Sequence, residues 1–151
     1  MRRVLLGLLA CGIGASACVP HPVGPARTYG KYEGKAVTTA ESALSTVETV
    51  RLAAGTASKD HAFGPYLSEL VSDMEESASG VQGTFESIQP PDERADQLRD
   101  DLDQLLSDVV DHIAAVRVAV RRGRILDLDQ AAQDLDEDSQ KLNDFAEEHK
   151  R

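Results

Sequence analysis

Residues 92–123, DERADQLRDDLDQLLSDVVDHIAAVRVAVRRG, carry the clearest helical pattern in the chain. Apolar side chains recur every three or four residues, as one face of an α-helix requires. They are Ala95, Leu98, Leu102, Leu105, Val109, Ile113, Val116 and Val120. Acidic residues fill the first turns and arginines the last turns before Gly123, which is the distribution that the helix dipole favours. The stretch therefore predicts a long amphipathic helix.

Three further segments show the same periodicity. The first spans residues 33–58, and the second begins at the GP pair at 64–65 and stops at the PP pair at 90–91. The fourth has Asp127 as its predicted N-cap, with Gln130 three residues later. Their apolar positions are Val37, Ala40, Leu44, Val47, Ala54, Leu67, Leu70, Met74, Ala78, Val81, Phe85, Ile88, Leu128, Ala131, Leu135, Leu142, Phe145 and Ala146.

Four long helices joined by short turns predict an all-α domain over residues 32–151, packed as an up-down-up-down antiparallel four-helix bundle. The chain has 151 residues, which is room for one domain, and it is 41% hydrophobic but only 4% aromatic, as suits helices. The alanine-rich first helix is the predicted weak point, because alanine buries less apolar area than leucine. Two long hairpins that dimerise are the alternative, so the chain is expected to be a monomer or a helical homodimer.

The N-terminus has the pattern of an export signal over residues 1–17, where two arginines precede a short apolar run. The small residues before Cys18 resemble the lipobox of bacterial lipoproteins, which predicts cleavage there and a lipid on Cys18. The alternative is an ordinary secretory signal cleaved after Ala17. Residues 18–31, with prolines and glycines, form the predicted anchor and flexible linker. Both cysteines, Cys11 and Cys18, lie at this signal, so no disulfide is expected in the exported domain.

The mature region, including GPY at 64–66 and SIQPP at 87–91, resembles a family of small helical lipoproteins of high-GC Gram-positive bacteria with no assigned activity. The resemblance implies export and helicity, and it transfers no functional residues.

Charge and motifs exclude several functions. The net charge of −10 argues against nucleic acid as a partner, because phosphate binding needs a basic face. The chain has no Gly-x-Ser-x-Gly or P-loop motif, and no Glu is followed three residues later by His, as a di-metal bundle site requires. We therefore expect no enzyme activity, no cofactor and no metal site.

Arg51 lies near the middle of the apolar stripe of the first helix, where a buried guanidinium needs an acid. Acids at a similar depth are Asp73, or its neighbour Glu69, on the second helix and Asp138, or Asp134, on the fourth. The pattern predicts a structural ion pair of Arg51 with Asp73 or Asp138. The alternatives are a snorkelling side chain and a ligand site in which Arg51 binds a small anion.

Gly80 and Gly83 lie away from the apolar stripe of the second helix, where each costs ~1 kcal/mol relative to alanine. One hypothesis is a flat groove that receives a partner segment, and the other is tolerated surface glycine or a local kink.

Together these features predict a membrane-tethered extracytoplasmic lipoprotein that acts as a non-catalytic binding or structural module, an accessory subunit of an envelope complex. Its expected partners are the membrane, through the lipid anchor, and a protein of the cell envelope. The alternative is an extracytoplasmic sensor that binds a small ligand or a metal in the bundle core.

Overall fold

The computed structural model describes residues 24–57, 64–123 and 125–150. This part of the chain forms four helices: α1 (Tyr29–Ala57), α2 (Gly64–Glu86), α3 (Glu93–Arg122) and α4 (Ile125–His149). They pack as an antiparallel up-down-up-down four-helix bundle, which confirms the predicted fold class. The predicted export signal, Cys18 and the linker up to residue 23 lie outside the described residues. None of the four helices has an apolar stretch long enough to cross a membrane, as far as the described residues go.

α1 begins at Tyr29, before the predicted start at Glu33. Thr28 caps it, because the backbone N–H of Lys31 donates to the Thr28 hydroxyl at 3.4 Å and to the Thr28 carbonyl at 3.1 Å. Threonine is a favoured N-cap, and the cap offsets the helix cost of the glycines in the first turns. The additional turn buries Tyr32 completely.

The ends of α3 match the sequence prediction. The Asp92 side chain accepts a hydrogen bond from the Ala95 N–H at 3.0 Å, and Gly123 ends the helix in the left-handed region at φ 62°. The prediction for α4 was less accurate, since this helix begins at Ile125 and Asp127 therefore lies inside it and is not its N-cap. The helix dipole also favours an aspartate in the first turn of a helix, so the sequence signal was shifted by one turn at most.

The apolar faces of the four helices meet in one core. Its largest completely buried side chains are Tyr32, Phe85, Leu102, Leu106, Ile113, Leu135 and Leu142. α1 contacts all three other helices, including α3 across the bundle, whereas α2 and α4 do not meet among the described residues. Ala36, Ala40 and Ala43 are fully buried, and such small side chains let helix axes lie close together. The alanines of α1 are thus compatible with the contact between α1 and α3 across the bundle.

Candidate functional site

Arg51 projects to the boundary between α1 and α4, with 31% of its side chain exposed. Its Nη1 donates to Glu48 Oε1 at 2.5 Å, and its Nε donates to Asp136 Oδ1 on α4. The predicted pairing of Arg51 with Asp73 or Asp138 is therefore wrong, and so is the expectation of a buried guanidinium.

The helical repeat explains why Arg51 meets Asp136. Two residues along a helix turn the side chain by about 200°, so Asp136 and Asp138 point to different sides of α4. Asp138 shares the buried face of Leu135 and Leu142, whereas Asp136 lies toward α1. Asp73 is exposed on α2, and its side chain makes no hydrogen bond or ion pair with any residue in the described ranges.

Glu48 connects both helices. Its Oε1 accepts hydrogen bonds from Arg51 and from the Ser139 hydroxyl on α4, the latter at 2.5 Å. The Ser139 hydrogen bond lowers the pKa of Glu48 most, and the Arg51 contact lowers it further against the opposing effect of burial. Burial acts to lower the pKa of Arg51, but the hydrogen bonds and charges of Glu48 and Asp136 together outweigh it and raise the pKa. We call Glu48, Arg51, Asp136 and Ser139 the α1–α4 network.

An open depression of about 510 Å³ adjoins this network between α1 and α4. Its lining residues are Leu44, Glu48, Ser139, Gln140, Asn143 and Asp144. Leu44 is half-buried against the core. Gln140, Asn143 and Asp144 are exposed, and their side chains form no hydrogen bond or ion pair within the described part of the chain. The depression therefore combines one apolar side chain with several polar groups that are free to bind.

Asp138 forms a second polar contact, between α3 and α4. The sequence pointed to Asp138 as an inward acid that pairs with Arg51, but its pairing with His112 was not predicted. Its side chain is only 2% exposed, and its Oδ2 lies 2.7 Å from Nδ1 of His112, whose side chain is 33% exposed. Burial raises the pKa of Asp138, and the hydrogen bond and charge of His112 offset this only in part. A signal was present in the sequence, because Asp138 occupies a position of the apolar stripe between Leu135 and Leu142 and so requires a polar partner.

α4 also pairs with α1 near the N-terminal end of α1. His149 Nδ1 lies 3.5 Å from Oε1 of Glu33, a carboxylate that is almost fully buried. The His149 ring packs on Phe145 with a centroid distance of 4.6 Å. Two pairs of a histidine with a buried carboxylate thus attach α4 to its neighbours, one to α3 and one to α1.

Gly80 and Gly83 are exposed on α2. A β-carbon built at either position would meet no atom within 4 Å, so close packing does not explain these glycines. A partner groove at this position stays a prediction.

Metal ligation and similarity to known proteins give no further assignment. No group of three or more His, Cys, Asp or Glu side chains suited to a metal ion occurs in residues 24–57, 64–123 and 125–150. Comparisons with protein-family models, curated proteins and solved structures found no match for this chain.

Proposed function

We propose that the protein is a non-catalytic binding or structural module, anchored outside the cytoplasmic membrane by a lipid on Cys18 and serving as an accessory subunit of an envelope complex. The observation that carries this proposal is the α1–α4 depression, where side chains with free donors and acceptors line the surface of the bundle. The export pattern of residues 1–17 and the small residues before Cys18 support the location.

The position of the depression suits a tethered module. Glu48 lies 19 residues beyond the start of α1 at Tyr29, which corresponds to about 30 Å along the helix axis. A lipid on Cys18 would attach through the linker at the start of α1, and the depression lies on the side of the bundle, beyond the middle of α1 from that end. A partner protein can therefore approach it laterally.

The anchor is tested by membrane fractionation of the Cys18→Ser variant. We expect this variant to leave the membrane fraction or to stay unprocessed, and we expect mass spectrometry of the wild type to find a diacylglyceryl group on the N-terminal Cys18 peptide. Cys11→Ser is the matched control, because it removes the other cysteine of the signal and should stay at the membrane. An unmodified mature N-terminus at Cys18 would contradict the proposal.

The module is tested by purifying the tagged full-length protein from membranes after chemical cross-linking. A protein that co-purifies in fixed stoichiometry, and that is lost when Leu102→Asp disrupts the core, supports a binding or structural role. A small molecule or metal that co-purifies without any protein would instead support the alternative role as a sensor.

A further inference from the structure

We infer that the α1–α4 depression binds a basic side chain, lysine or arginine, from an extended segment of the partner protein. This inference rests on the proposed function and adds the chemistry of the partner. It is carried by four features of the depression: its carboxylates, its apolar residue, its carboxamides and its net charge.

Two carboxylates from different helices line the same space. Glu48 on α1 uses Oε1 to accept from both Ser139 and Arg51, and Oε2 has no hydrogen bond within the described ranges. Asp144 on α4 has no side-chain partner there at all. A cationic group between them would form charge-assisted hydrogen bonds to both. Because Ser139 and Arg51 already hold Glu48 in place, binding would cost little conformational entropy at that residue.

The remaining lining fits the rest of a basic residue. Lysine and arginine have apolar stems that pack on hydrophobic surface while their charged ends reach polar groups, and Leu44 supplies such a surface. Gln140 and Asn143 each offer a carboxamide with both donors and an acceptor. These carboxamides can hydrogen-bond to the backbone N–H and C=O groups of an extended segment. A compact cation has no such backbone groups.

Charge selects the same partner. Around the depression the carboxylates of Glu48, Asp136 and Asp144 outnumber the single guanidinium of Arg51, and that guanidinium already binds two of them. The whole chain carries a net charge of −10. Acidic segments and anionic lipid headgroups are therefore repelled from this surface, whereas basic segments are attracted to it.

The inference is tested with the full-length protein in detergent micelles and a fluorescent, end-blocked peptide of alternating lysine and alanine. Fluorescence anisotropy gives the dissociation constant, and a glutamine–alanine peptide of equal length is the neutral probe. Asp144→Asn removes one carboxylate of the depression, and Asp100→Asn on the exposed face of α3 is the matched control with the same change of net charge. Neither residue is buried, so neither change should impair folding.

We expect the lysine peptide to bind and the glutamine peptide not to bind. Asp144→Asn should weaken binding of the lysine peptide by about two- to fivefold, the effect of one exposed ion pair, whereas Asp100→Asn should leave it nearly unchanged. Equal weakening by both variants would show attraction to net charge alone and would overturn the inference. Absence of lysine-peptide binding would overturn it as well. The proposed function fails on different results, namely an unmodified Cys18 or the absence of a co-purifying protein.

Discussion

Asp136 and Asp138 are two residues apart on α4, and each pairs with a cationic or protonatable side chain of a neighbouring helix, yet their environments differ. The Asp136 side chain is 49% exposed and contacts the partly exposed Arg51, whereas Asp138 is buried against His112. The free energy needed to remove a carboxylate from water is large, and its pairing must offset that cost. The desolvation cost is small for the half-exposed Asp136 and large for the buried Asp138. The raised pKa of Asp138 reflects this cost.

Asp136 and Asp138 therefore have two different roles, although they lie on the same turn of α4. The outward carboxylate belongs to the α1–α4 network beside the open depression, where charge is accessible to a partner. The inward carboxylate connects two helices within the bundle and contributes nothing to that surface. The expected contributions to stability follow from burial and partner, not from residue type.

An acid placed on the buried face without a histidine partner should have the largest effect on stability. Leu102 is fully buried on α3, so Leu102→Asp should lower the free energy of unfolding by about 4 kcal/mol or more and unfold the bundle. Circular dichroism at 222 nm measures the loss of helix. Asp100→Asn, two residues away on the exposed face, should leave the spectrum unchanged. A folded Leu102→Asp variant would contradict the assigned core.

Removing the partner of Asp138 should have the next largest effect. His112→Ala leaves a buried carboxylate without its hydrogen bond, and we expect a loss of about 2 kcal/mol in denaturant unfolding at neutral pH. The partial exposure of His112 keeps the loss below that of a fully buried pair. The loss should be much smaller when His112→Ala is made in an Asp138→Asn background, since the charge is then gone. Equal losses in both backgrounds would show that the two residues are not coupled.

The exposed glycines of α2 provide a test in the stabilising direction. Gly80→Ala and Gly83→Ala should each raise the free energy of unfolding by up to about 1 kcal/mol, because the added methyl group meets no atom and alanine favours the helix. Gly123→Ala is the control and should destabilise, since φ there is 62°. Destabilisation by the α2 changes would indicate that these glycines serve a backbone geometry other than that of the described helix.

Arg51→Ala should have the smallest effect, a loss of about 1 kcal/mol or less. Arg51 is partly exposed, its partners are half-exposed, and surface ion pairs of this kind are weakened by salt. Removal of one partner from a fully buried pair would cost ~3 kcal/mol or more. Denaturant unfolding of the Arg51→Ala variant at low and high salt distinguishes an exposed ion pair from a buried one. A loss of ~3 kcal/mol or more that does not depend on salt would require a buried contact and would contradict the exposed pair.

The sequence predicted the helix number, most of the buried positions and the capping of α3, because these depend on local periodicity and on residue types with strong preferences. Part of the stripe of α3 was off by one residue, since Leu106 and Ala119 are buried where Leu105 and Val120 were predicted. It did not predict the partners of Arg51 and Asp138. Those depend on the rotation of each helix about its axis and on the axial register between helices, and a shift of two residues exchanges an inward position for an outward one. Asp138 was already a candidate for a buried ion pair, but the assignment of His112 as its partner needed the packing of α3 against α4.

The most direct test of the contrast between the two aspartates is the free energy of unfolding of Asp138→Asn and Asp136→Asn relative to wild type, from pH 7 to pH 4. The folded-state pKa of Asp138 is raised, so ionisation of this group destabilises the folded protein above that pKa, and the cost disappears as pH falls through it. Asp138→Asn should therefore be more stable than wild type at pH 7, with an advantage that shrinks toward pH 4. Asp136→Asn should be slightly less stable than wild type at pH 7, by about 1 kcal/mol or less. A clear loss of stability in Asp138→Asn at pH 7, as large as or larger than that in Asp136→Asn, would contradict the account.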